Sequence, residues 1–148
     1  MAGGVAPACA NIVRDVSGAS NVGVVRMLWA AVREQDIDAV LSLADPTVEW
    51  EPTAVSSGRL HGDHELRTYL ARLRAAGTLA DAHPYSFEAV GDCVIVSGAL
   101  RLRRAGDVVD TVQRWWVYEV VGGRVTAATS HGSRPDALRA ARGRGLAR

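Results

Sequence analysis

Arg114 stands two residues before Trp116 and four before Tyr118, within the run Gln113-Arg114-Trp115-Trp116-Val117-Tyr118. The run is rich in aromatic residues and leads to Gly122-Gly123, which predicts a strand running into a turn. Alternate side chains of a strand share a face, so a guanidinium is set beside two aromatic rings. Such a group can stabilise negative charge that develops on an oxygen of a bound molecule. An Arg on a buried face is costly unless it is paired or hydrogen-bonded. Glu49, Glu51 and Asp110 are candidate partners; the alternative is a rim position with the head in water.

Two further residues could move a proton. His131 ends the last expected strand, and pairing Val121 with Arg124 sets it across from Arg114. A neutral imidazole there, its pKa lowered by the cation, suits a base. The plainer alternative is a strand-end histidine half in water. Glu51 shares one side of an early strand with Glu49. The simplest pattern there buries Val48 and Trp50 and leaves both carboxylates in water. His61, His64 and His83 show no paired spacing with His131, which argues against a metal site. Gly-rich phosphate loops and Cys or Ser nucleophile motifs do not occur. No cofactor is expected.

The chain holds four Trp, three Tyr and one Phe. Trp29, Trp50, Tyr69 and Trp116 are candidates to line an aromatic cavity, with Tyr118 and Arg101 expected on the Trp116 face. Each aromatic ring would bury on the order of 200 Å², several kcal/mol at about 25 cal/mol per Å². Most such residues are simply core. Trp115 and Trp116 point to opposite faces, so one of the two indoles needs a second cover: a helix, a partner subunit or a ligand.

Positioning these groups takes helices first and strands afterwards. From Asn21 to Glu34, Val22, Val25, Leu28, Trp29 and Val32 form a helical stripe. Asp36 can cap a short second helix with Ile37, Val40 and Leu41 inward, closed by Pro46. Thr47 to Glu51 alternates up to Pro52, a short peripheral strand. A third helix starts at Gly62-Asp63 with Asp63 as cap, turns Leu66, Tyr69, Leu70 and Leu73 inward, and ends at Gly77. Strands follow over roughly 82–90, 93–103, 108–121 and 125–131, with turns at Gly91-Asp92, Ala105-Gly106 and Gly122-Gly123. Ser133 can cap a last helix with Pro135 in its first turn. This order predicts an α+β fold with helices packed on one face of an antiparallel sheet.

With 148 residues the chain fits one domain with a real core. A leader is expected over residues 1–20, a single domain over 21–142 and a flexible tail over 143–148. The net charge of +1 gives no reason to expect nucleic acid or an anionic membrane as partner. All 17 basic residues are Arg, scattered among Ala and Gly, which points to composition bias rather than a binding patch. Cys9 and Cys93 make no disulfide framework, and no signal peptide or membrane-length apolar run is evident. A cytoplasmic setting is expected.

Several stretches in order carry a resemblance: Leu43-Ala44-Asp45-Pro46-Thr47-Val48-Glu49-Trp50, then Gly58-Arg59-Leu60-His61-Gly62-Asp63-His64-Glu65-Leu66, the turn Gly123-Arg124-Val125, and the ending Arg134-Pro135-Asp136-Ala137-Leu138. Over roughly Asn21 to Ala141 the chain resembles the nuclear transport factor 2-like superfamily and, within it, the SnoaL-like branch. The resemblance implies a cystatin-like cone, a curved sheet wrapped around N-terminal helices with an apolar internal cavity at its open end. It also implies a homodimer through the outer sheet face. In the ketosteroid isomerases of this superfamily, a general base on the first strand precedes a Pro. Glu51-Pro52 resembles that pair, while matching Val48-Glu49 instead puts Trp50 at the base's position. Limonene epoxide hydrolase chemistry is not implied, because Ala99, Arg101 and Ser130 stand where its Arg and two carboxylates would be.

Pairing Arg104 with Asp107 sets Ser97 opposite Arg114, Ile95 opposite Trp116 and Cys93 opposite Tyr118. One face then carries Cys93, Ile95, Ser97, Ala99 and Arg101 with Arg114, Trp116 and Tyr118. The other carries Val94, Val96, Leu100 and Leu102 with Trp115 and Val117. The first is expected to line the cavity; Leu100, Leu102 and Trp115 are expected to meet a second copy. A one-residue slip would exchange the faces.

Two function classes stay open. The first is a cofactor-independent isomerase, cyclase or hydrolase acting on a hydrophobic small molecule, with Arg114 on an oxyanion and Glu51 or His131 moving a proton. The second is a non-enzymatic ligand-binding or dimeric assembly domain. The fold decides between them only through its site.

Overall fold

The computed structural model describes residues 20–51 and 58–146; apart from Ser20, the leader expected over residues 1–20 lies outside them. A helix, α1, covers residues 20–33. Its apolar stripe is buried at Val25, Leu28 and Trp29. It ends in paired turns, with Gln35 N–H donating to Val32 O and Asp36 N–H to Ala31 O. That closure puts Gln35 at φ +59, the left-handed position that terminates helices. Asp36 then caps α2 (Ile37–Ser42), its carboxylate accepting from Ala39 N–H.

The remaining elements are β1 (Ala44–Trp50), β2 (Leu60–His61), α3 (Gly62–Ala75), β3 (Ala82–Val90), β4 (Cys93–Arg104), β5 (Asp107–Val121), β6 (Arg124–His131) and α4 (Arg134–Leu146). The N-cap of α3 is His61 rather than Asp63, and the Glu65 carboxylate reaches back to accept from His61 N–H at 2.8 Å. Helix α4 runs past the boundary expected at residue 142.

The fold is α+β. Six strands form one curved, unclosed sheet in the order β2-β1-β6-β5-β4-β3, antiparallel except where β1 runs parallel to β6. Helices α1, α2 and α3 pack in its concave face over Val94, Val96, Trp116, Tyr118, Val125 and Ala128. Helix α4 covers the convex face, where Ala137 and Ala141 pack on Cys93, Ile95 and Val117, with Trp115 against the same cluster. No helix among the described residues is long and apolar enough to cross a membrane.

Two bulges revise the expected register. Arg104 does pair with Asp107, and Arg103 with Val108, but Leu102 pairs with Asp110. The extra residue, Val109, shifts everything beyond it by one, so Val96 faces Trp116 and Val94 faces Tyr118. Arg114, Trp116 and Tyr118 therefore share the concave face with Val94, Val96 and Leu100, not with Ile95, Ser97 and Arg101. The dimer patch expected from Leu100, Leu102 and Trp115 is not one surface. Leu100 packs against the inner core, Leu102 is exposed near the hairpin tip, and Trp115 lies on the opposite face, partly buried against the cluster beneath α4. A second bulge, at Thr126, sets His131 opposite Trp115 instead of Arg114.

A third irregularity lies between β3 and β4. Pro84 pairs with Gly98 and Ser86 with Ser97, leaving Tyr85 as the extra residue. A Cβ on Gly98 would fall 2.1 Å from the His83 carbonyl oxygen, so only glycine allows the backbones this close. The close approach sets the start of β3, and Asp81 just before it, against the β4–β5 hairpin. Asp81 is buried, and its carboxylate holds Arg103 through Nε at 2.7 Å and Nη2 at 2.9 Å.

Candidate functional site: an aromatic pocket with a polar rim

The concave face carries its large rings at strand spacing, and α1 and α3 bring more from above. Trp116 and Tyr118 come from β5, Trp50 from the end of β1, Trp29 from α1 and Tyr69 from α3. Trp29 meets Trp116 edge-on at 4.9 Å between centroids and Tyr118 at 6.4 Å; Trp50 meets Tyr118 at 5.9 Å. Each such contact contributes about 0.5–1.5 kcal/mol beyond area burial. The rings do not close on one another. They leave a pocket of about 80 Å³, room for several waters where one needs about 10–15 Å³. Leu28, Val32, Leu70, Leu73, Leu79 and Ala82 complete its apolar wall, and Glu51, Ala128 and Thr129 its far end.

Polar groups gather where β1 and β6 end. Glu51 N–H donates to Ala128 O at 2.8 Å, which carries the β1–β6 pairing one residue past Trp50. Glu51 borders the pocket, and its carboxylate is half exposed with Arg59 at 3.8 Å. Thr129 Oγ1 lies 2.8 Å from His131 Nε2. Burial lowers the His131 pKa below its ordinary value; Arg114 adds to this, while Glu51 and Asp136 oppose it. Arg114 continues the concave face beyond Trp116 and hydrogen-bonds Ser130 Oγ through Nη2. Its Nε is buried without an acceptor among the described residues. Trp29 Nε1 is in the same condition. Burial pushes the Tyr118 phenol far above its usual range, so it stays neutral. The Trp29 N–H opposes this slightly, as a neighbour rather than a donor at hydrogen-bonding geometry.

Of the residues singled out from the sequence, the fold brings Trp29, Trp50, Tyr69, Trp116, Tyr118 and Glu51 together around one pocket. Arg114 borders that group on the same face. His131 shares the convex side of β6 with Thr129, opposite Trp115 and Val117, and does not face the pocket. Arg101 is elsewhere: exposed on β4, with Nη2 3.1 Å from His83 Nε2. The expectation that it joins the Trp116 face fails because of the Val109 bulge. Sequence reasoning missed Leu79 and Thr129. Leu79 follows the helix-ending Gly77 with no periodic pattern to flag it, whereas Thr129 lies two residues before His131 on one strand side. Among the described residues, no three His, Cys, Asp or Glu side chains gather as a metal cluster.

A model of the SnoaL-like domain matches residues 25–128, and the chain belongs to that family. A search among curated proteins finds no match. Solved structures similar to the chain include an NTF2-like protein of unknown function from Burkholderia pseudomallei, 23% identical, with 81% of this chain and 95% of that one covered at a TM-score of 0.66. TerC, co-crystallised with polyporic acid, is 21% identical over 83% of this chain and 98% of its own, at 0.64. A putative polyketide cyclase from Sinorhizobium meliloti is 22% identical over 74% and 94%, at 0.61. At these identities the likeness establishes the shared fold alone.

Proposed function

We propose that the aromatic pocket binds a flat, largely apolar small molecule, and that the polar rim promotes a proton-transfer reaction on it of the isomerisation, cyclisation or hydrolysis class. One observation carries the reading: five aromatic rings converge on the concave face and leave space between them. A pocket with apolar walls and few polar groups at one end suits such a ligand. Likeness to a putative polyketide cyclase, and to a protein co-crystallised with polyporic acid, points the same way. Glu51 is the group best placed to accept a proton from carbon, with Arg114 further along the face for the resulting oxyanion. The same reading places the protein in a reducing, cytoplasmic setting, in keeping with only two cysteines in the chain. Leu102, Val108 and Val109, exposed at the β4–β5 tip, are the surface that favours a homodimer.

Two probes test this. Neutral 2-naphthamide should quench tryptophan fluorescence saturably, and Leu73→Trp, which fills the pocket, should abolish that binding while the protein stays folded. Unchanged binding in the filled variant would refute the pocket. Hydrogen–deuterium exchange at the acidic carbon of 2-tetralone, followed by NMR, should be accelerated by the protein and not by Glu51→Gln. No acceleration by the wild-type protein would leave a binding domain rather than an enzyme, and equal acceleration by both would remove Glu51 as the base.

A further inference from the structure

Two buried side-chain polar atoms among the described residues lack a hydrogen-bond partner, Arg114 Nε and Trp29 Nε1. Both are donors. Trp29 walls the pocket, and Arg114 follows Trp116 along the same face. Arg114 also has no carboxylate within ion-pair distance among the described residues. The Ser130 hydroxyl is its hydrogen-bonding partner, and a hydroxyl leaves the positive charge uncompensated. A buried donor left unmade costs about 1–3 kcal/mol, and more when charged. Two such donors beside one apolar pocket are accounted for by a ligand that supplies acceptors.

We propose that the ligand is a flat, fused-ring acid bound as its conjugate base, a carboxylate or an enolate. One edge of its ring system enters the pocket between the aromatic walls, the rest extends along the concave face, and its anionic oxygen lies on Arg114. This rests on the pocket reading above and goes further by giving the ligand a charge and a length. Residues two apart on a strand are separated by about 7 Å along the backbone, farther than a benzoate reaches from ring centre to carboxylate and close to what a 2-naphthoate reaches from its distal ring. A single ring in the pocket would fall short of the guanidinium; a bicyclic acid spans the gap. A second, neutral oxygen on the ring system would accept from Trp29 Nε1. Both orphan donors are then satisfied by one molecule.

The test compares 2-naphthoate with 2-naphthamide, equal in shape and different in charge, by calorimetric titration at pH 7.5. The wild-type protein should bind the acid about 10- to 100-fold more tightly, the worth of a charge-assisted hydrogen bond at about 1.4 kcal/mol per factor of ten. Arg114→Met should remove the preference, weakening the acid far more than the amide, with circular dichroism as the check on folding. Arg114→Lys, which keeps the charge without the Nε–H, should restore part of it. Trp29→Phe should weaken both probes by a similar factor. Equal affinities in the wild type, or a preference that survives Arg114→Met, would overturn the acid while leaving the pocket standing. Failure of both probes to bind would overturn the pocket reading together with the acid.

Discussion

Arg103 and Arg114 belong to the same β4–β5 hairpin, and their surroundings are opposite in kind. Arg103 is spoken for on every side: Asp81 takes Nε and Nη2, and the Gly106 carbonyl accepts from Nη1 at 2.7 Å. Hydrogen bonding to Asp81 raises its pKa further above an already high value. This Arg closes a latch between the entry to β3 and the hairpin. Arg114 is held by a hydroxyl and keeps a buried N–H without an acceptor among the described residues. A guanidinium can thus serve the fold or stand ready for something outside it. The difference is legible in whether its donors are satisfied.

The most severe way to break this comparison is upstream of both residues. Gly98→Ala should prevent β3 from closing on β4, because the new Cβ meets backbone that has no freedom to move. Loss of soluble, cooperatively folding protein is the expected result; a near-native melting temperature would mean the Tyr85 bulge can relax. Asp81→Asn comes next. It leaves Arg103 without its anion, and truncating one partner of a satisfied pair is more damaging than never having had it. A clear drop in melting temperature is expected, with 2-naphthamide affinity unchanged.

Arg114→Met sharpens the contrast because its sign should be reversed. Losing a buried, unsatisfied donor outweighs losing the Ser130 hydrogen bond, so chemical denaturation should show stability unchanged or higher by about 1 kcal/mol. A loss as large as that of Asp81→Asn would place Arg114 with the structural arginines. The smallest effect concerns His131. Its folded pKa lies below the unfolded value of 6.5, so the unfolded chain binds the proton more readily. The stability it contributes is complete above pH 6.5 and is lost as pH falls from there through the folded pKa. His131→Gln should flatten that part of a urea-midpoint profile; an unaltered slope would assign the titration to another group.

The elements themselves were legible because each carries a local signal. The Val25–Leu28–Trp29 stripe, Asp36 as a cap, the Gly122-Gly123 turn and Ser133 before α4 all correspond to described structure, with Ser133 Oγ accepting from Asp136 N–H. The pocket aromatics were legible for the same reason, since alternation on β5 and the 3.6-residue period on α1 and α3 mark inward positions. What alternation could not show is where a strand skips a residue. Val109 and Thr126 look like ordinary strand residues, and counting from the turns through them places Arg101 and His131 on the wrong sides.

The sequence by itself determined the order of elements, the α+β class and the rings that turn inward, because periodicity and turn chemistry act over a few residues. Only the tertiary structure decided which β4 residues back Arg114, that α4 packs on the face that carries Trp115, and that Asp81 satisfies Arg103 while Arg114 is left with a hydroxyl. Those outcomes depend on bulges and on contacts between distant segments. A shift of one residue moves a side chain through the sheet, and no local pattern records it.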